Sequence, residues 1–114
     1  DEGNQYFPPT SFQISNINSG VGTTNIIPGE LSMDFNFRYS TETTKNELQN
    51  KVEDIMKESG LDYNVTWSHS GDPFLTERKD LLDACVKSVK EELGMTAEIS
   101  TDGGTSDGRF MAKI

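Results

Sequence analysis

Between Leu31 and Ser40, apolar and polar residues alternate without a break. Leu31, Met33, Phe35, Phe37 and Tyr39 stand against Ser32, Asp34, Asn36, Arg38 and Ser40. Successive strand side chains point to opposite faces, so this period of two puts all five large groups on one face. A 3.6-residue turn would scatter them around a helix instead. The segment predicts a strand of an antiparallel sheet with one dry and one wet face. Such a sheet needs a second layer over its apolar side.

The remaining elements fit that requirement. Ser11-Phe12-Gln13-Ile14-Ser15 alternates over a shorter stretch, and Tyr63, Val65 and Trp67 do so against Asp62, Asn64, Thr66 and Ser68. Residues 1–9, ending in Pro8-Pro9, read as a linker with a stiff end. Asn16 to Thr24 is rich in Gly, Ser, Asn and Thr and predicts a loop, and Pro28-Gly29 ends a turn. Thr44-Lys45-Asn46-Glu47 has capping-box spacing, Leu48, Val52, Ile55 and Met56 recur at helical spacing, and Gly60 suits a left-handed C-cap. A helix over 44–59 follows. After the break at Ser70-Gly71-Asp72-Pro73, Leu82, Cys85, Val86, Val89 and Leu93 predict a helix over 77–93, closed by Gly94. A short strand over 96–100 and a loop over 102–108 complete the reading. The order predicts an α+β fold, a two-layer sandwich with helices on one side of an antiparallel sheet.

At 114 residues the chain is long enough for one small domain with a modest core, and its 32% apolar content suggests that part of it leans on a neighbour. Nineteen acidic against ten basic residues give a net charge of −9, which repels phosphate backbones and anionic lipid. Nucleic acid and membranes are therefore excluded as expected partners. Cys85 is the only cysteine, so no internal disulfide forms, and its place in Leu81-Leu82-Asp83-Ala84-Cys85-Val86 predicts burial. No membrane-spanning apolar stretch and no signal peptide is apparent, and the expected compartment is the cytoplasm. The chain starts at Asp1 rather than Met and stops as Met111-Ala112-Lys113-Ile114 opens a new apolar segment. These ends suggest a piece cut from a longer protein.

Little in the residues themselves supports catalysis. His69 is the only histidine, with no second His or Cys at ligand spacing, so no zinc site and no Ser-His-Asp arrangement is expected. Asn64-Val65-Thr66 matches a glycosylation acceptor but lies inside a predicted strand. Gly103-Gly104-Thr105-Ser106-Asp107-Gly108-Arg109 admits two readings: a backbone nest for a carboxylate or phosphate with Arg109 beside it, or an ordinary flexible loop. Arg38 is either a solvated charge on the wet face or a carboxylate clamp on a rigid strand. Asn25 either donates to a ligand or ties its own turn.

Several stretches together resemble a known family. They are Phe7-Pro8-Pro9-Thr10-Ser11-Phe12, Gly22-Thr23-Thr24-Asn25-Ile26-Ile27-Pro28-Gly29-Glu30-Leu31, Phe35-Asn36-Phe37-Arg38-Tyr39, Pro73-Phe74-Leu75-Thr76 and Gly103-Gly104-Thr105-Ser106-Asp107-Gly108-Arg109-Phe110. The chain resembles the M20 dinuclear-zinc metallohydrolases, in their succinyl-diaminopimelate desuccinylase branch. The resemblance implies a ferredoxin-like lid, with residues 1–75 its C-terminal part and 76–114 the start of a returning catalytic segment. The lid's first strand and helix would precede Asp1. Lids of this kind pair edge to edge into a homodimer.

The implied reaction is hydrolysis of N-succinyl-LL-2,6-diaminopimelate to succinate and LL-diaminopimelate. Two zinc ions activate a bridging water there and a glutamate acts as base. Those ligands and that base lie outside this chain, which is expected to be inactive alone, with no catalytic or metal-binding residue. His69 does not occupy the family's lid-histidine motif. Substrate binding does carry over: Thr24 and Asn25 match the lid loop that reaches the facing subunit, and Arg38 matches a carboxylate-binding arginine. Gly104, Thr105, Ser106 and Arg109 match a catalytic-domain loop near the substrate. Two other functions remain open: a stand-alone ferredoxin-like module binding a small carboxylate, and the lid of another M20 deacylase.

Overall fold

The computed structural model describes residues 1–76, 78–103 and 107–111. It divides into two units, residues 1–60 and 61–114, each described by itself. The fold class is α+β: a two-stranded antiparallel sheet with helices.

In the first unit, β1 (Ser11–Ser19) pairs with β2 (Leu31–Arg38). The predicted strand at 11–15 continues four residues into the expected loop. It does so through a bulge between Ile14 and Asn16, and the bulge follows from the sequence spacing. Phe12 and Ile14 are two apart, but Ile17 is three further on, which would turn Ile17 to the polar face of a regular strand. One extra residue restores the parity. Phe12, Ile14 and Ile17 therefore lie opposite Phe37, Phe35 and Met33 on one face. Ser11, Gln13, Asn16 and Asn18 lie opposite Arg38, Asn36, Asp34 and Ser32 on the other.

Phe12, Phe35 and Phe37 form the aromatic centre of the apolar face, with centroids 5.2–6.1 Å apart in tilted and edge-on arrangements. The face is not dry, contrary to the sequence expectation. Phe12, Ile14, Ile17, Leu31 and Met33 are all exposed, Leu31 at 63%, and no hydrophobic residue is fully buried among the described ones. A two-stranded sheet has too little material to cover itself.

Helix α1 (Lys45–Ser59) has the predicted capping box: Thr44 Oγ1 accepts from Glu47 N–H at 3.3 Å, and Glu47 Oε2 accepts from Thr44 N–H at 2.8 Å. It ends at Gly60, whose φ of 68° is the left-handed conformation that glycine adopts without a Cβ penalty. Leu48, Val52 and Met56 form its half-buried stripe, while Ile55 is exposed. Ahead of the sheet, the Asp1 carboxylate accepts hydrogen bonds from Gly3 N–H, Thr10 N–H, the Thr10 hydroxyl and the Ser40 hydroxyl. Ser40, at 1% exposure, is the buried polar residue of this knot.

In the second unit, α2 (Lys79–Leu93) ends at Gly94, and a short α3 spans Gly108–Met111. Leu82, Val86 and Val89 make the half-buried stripe of α2. Cys85 is exposed rather than buried, because it falls to the side of that stripe. The strands expected over 62–68 and 96–100 are absent. Tyr63, Val65 and Trp67 keep their half-buried alternation, but alternation supplies only a dry side. A ladder also needs a neighbouring strand, and among the described residues the second unit has none. Among the described residues no helix is long and apolar enough to cross a membrane.

Candidate functional site

Two candidate groups lie at opposite ends of the β1–β2 hairpin. Residues 20–30 join the strands. The neck of this loop is held by the Ser19 hydroxyl donating to the Glu30 carbonyl at 2.8 Å. Gly20 and Gly22, with φ of 77° and 79°, turn the chain where a side chain would be strained. Thr24 and Asn25 sit beyond them, both exposed. Among the described residues the Asn25 amide makes no hydrogen bond to its own turn. Around it the loop exposes Val21 at 76% and Ile27 at 92%. Apolar side chains that stand so free on a loop held at its neck mark a surface suited to contact.

Arg38 ends β2 at the other end, opposite Ser11. It is exposed on the polar face and, among the described residues, forms no ion pair. Its bidentate guanidinium donors are therefore available to a carboxylate. Beside it on that face, the Gln13 side-chain nitrogen donates to Ser11 Oγ at 2.6 Å, while Gln13 Oε1 is buried with no hydrogen-bond partner among the described residues. The eight residues from Leu31 to Arg38 span roughly 24 Å at about 3.4 Å per residue. The length of β2 thus separates Arg38 from the end of the hairpin where the loop carrying Thr24 and Asn25 begins.

Gly104, Thr105 and Ser106 lie outside the described residues, as does the side chain of Arg109 in α3. A cavity of ≈ 400 Å³ lies between Phe12, Phe37 and Leu48, rimmed by Glu47 and Lys51, and contains none of the candidate residues. Its Glu47 is held below the usual carboxylate range, first by the Thr44 hydroxyl, then by the Thr44 backbone and the Thr43 hydroxyl. That shift reports a helix cap rather than catalysis. Arg78 forks onto Asp80 with contacts of 3.2 and 2.6 Å, which raises the guanidinium's pKa and lowers the carboxylate's.

The donors here do not fit a metal centre. No three His, Cys, Asp or Glu side chains gather among the described residues, and His69 Nε2 lies 3.2 Å from an Asp72 oxygen. No chemical step is assigned to a metal within this chain.

The hairpin, its exposed loop and the following helix match a known domain. Residues 1–64, more than half of the chain, match the peptidase dimerisation domain, and the chain belongs to that family. Over its whole length it is 55% identical to the succinyl-diaminopimelate desuccinylase of Vesicomyosocius okutanii subsp. Calyptogena okutanii (strain HA) and 54% identical to that of Ralstonia pickettii (strain 12J). Over 113 residues it is 55% identical to the same enzyme of Pseudoalteromonas translucida (strain TAC 125). The chain spans about 30% of the length of these relatives.

Proposed function

We propose that this chain is the self-associating, substrate-closing part of a longer cytoplasmic amidohydrolase that cleaves N-succinyl-LL-2,6-diaminopimelate into succinate and LL-diaminopimelate. The observation that carries the reading is the 54–55% identity to desuccinylases across essentially the whole chain. In this reading residues 1–75 are the later part of a ferredoxin-like lid and 76–114 begin a catalytic-domain segment. The alternating stretch at 62–68 gains its ladder from a lid strand outside this chain. The two zinc ions and the general base also reside outside it.

The hairpin supports a division of labour between copies. Thr24 and Asn25 extend on the loop tip toward the substrate of a facing copy, while Arg38 holds a substrate carboxylate in its own. The separation of roughly 24 Å along β2 favours this over a shared site in one copy. Gly104, Thr105, Ser106 and Arg109 line the substrate from the catalytic segment. A substrate with several carboxylates suits two arginines and a glycine-rich nest.

The test is the hydrolysis of N-succinyl-LL-diaminopimelate by the full-length protein and its Arg38→Ala variant. A lost charge-assisted contact of about 1.5–3 kcal/mol lowers kcat/KM roughly 10- to 150-fold. Because Arg38 is exposed, stability should stay within about 0.5 kcal/mol. Unchanged kinetics would return Arg38 to an ordinary solvated charge.

A further inference from the structure

We propose that the Asp102–Gly103 bond is a site of spontaneous covalent modification, isomerising to isoaspartate through a cyclic imide. The Gly103 nitrogen attacks Cγ of Asp102, an N–Cγ bond forms, and the side-chain hydroxyl leaves as water with the nitrogen's proton. Water then reopens the five-membered ring. Opening at the original main-chain carbonyl leaves the backbone running through Cγ, one methylene longer. One water leaves and one returns, so composition is unchanged and no oxidant or cofactor is needed.

Asp-Gly occurs twice in the chain, at 102–103 and at 107–108, and the structure separates the two. Asp102 and Gly103 are both exposed, Gly103 has a φ of 114°, and among the described residues nothing lies within 4 Å of where its Cβ would stand. The Asp102 N–H donates to Ser100 Oγ at 3.3 Å, and among the described residues no hydrogen bond holds the peptide plane that follows. Among the described residues nothing opposes its rotation toward the carboxyl carbon. At the second site Gly108 is half-buried and opens α3, and the Asp107 carbonyl accepts from Phe110 N–H at 3.0 Å. Ring closure there must break the turn.

The modified bond immediately precedes Gly104 and Thr105. A longer backbone at this point would displace those substrate contacts, a consequence that rests on the function proposed above, whereas the chemistry does not.

The experiment ages the full-length protein in mildly acidic buffer, folded and in urea. Isoaspartate is counted by radiolabelled methyl transfer with isoaspartate methyltransferase and located by peptide mapping. In the folded chain, label at 102 should exceed label at 107 several-fold, and in urea the two should converge. Asp102→Glu, which would have to close a larger ring, should remove most of the folded-state label. Equal or greater label at 107 in the folded chain, label that persists in Asp102→Glu, or no label at either site would overturn the proposal. None of these readouts depends on the desuccinylase reading.

Discussion

Replacing Thr44 by alanine tests how α1 begins. Thr44 accepts from Glu47 N–H at 3.3 Å and donates to Glu47 Oε2 at 2.9 Å, and both contacts are exposed. The substitution removes them but leaves the backbone half of the box, Thr44 N–H to Glu47 Oε2 at 2.8 Å. Loss of an N-cap side chain costs about 0.5–2 kcal/mol. The long, solvated bond and the surviving half place this site near 1 kcal/mol. In a unit this small that is a fall in melting temperature of roughly 4–8 °C. Thermal unfolding followed by far-ultraviolet circular dichroism reads it directly. Thr44→Ser should restore the midpoint, since serine caps as well as threonine. An unchanged midpoint in Thr44→Ala, or a loss that Thr44→Ser fails to repair, would refute the assignment of the helix start to this side chain.

Two further outcomes follow from the same helix. The folded-state pKa of Glu47 is depressed, so its contribution is complete above the ordinary glutamate value and is lost as pH falls through the depressed one; an acid titration of α1 helicity should show this loss, and Glu47→Gln should abolish it. Gly60→Ala places a Cβ in the left-handed region with nothing within 4 Å among the described residues, so its cost is conformational, about 1–2 kcal/mol, measurable by urea unfolding.

The capping box, the stripe at Leu48, Val52 and Met56, and the αL glycine are local signals, and α1 was legible from them almost to the residue. The face of β2 was equally legible, since period-two alternation needs no partner to be read. The bulge was written in the three-residue step from Ile14 to Ile17, but the polar run at Asn16–Ser19 reads as loop unless Met33 and Leu31 are already known to lie opposite. Strand 62–68 failed for the complementary reason: its alternation is local, while its hydrogen-bonded neighbour is not. Burial was over-read at Cys85 and along the apolar sheet face, because an apolar pattern states what a residue prefers to touch and not whether anything is there. For the candidate site, the hairpin added what no motif carries, namely that the full length of β2 runs between Arg38 and the loop that holds Thr24 and Asn25.

The most direct measurement mixes two impaired full-length variants, Arg38→Ala and Asn25→Ala, under conditions that exchange subunits. If each active site takes Arg38 from its own copy and Asn25 from the facing one, a mixed dimer contains one intact site. Activity on N-succinyl-LL-diaminopimelate should then rise above that of either variant alone. A mixture no more active than its parts, with exchange verified by mass, would contradict the division of the site between two copies.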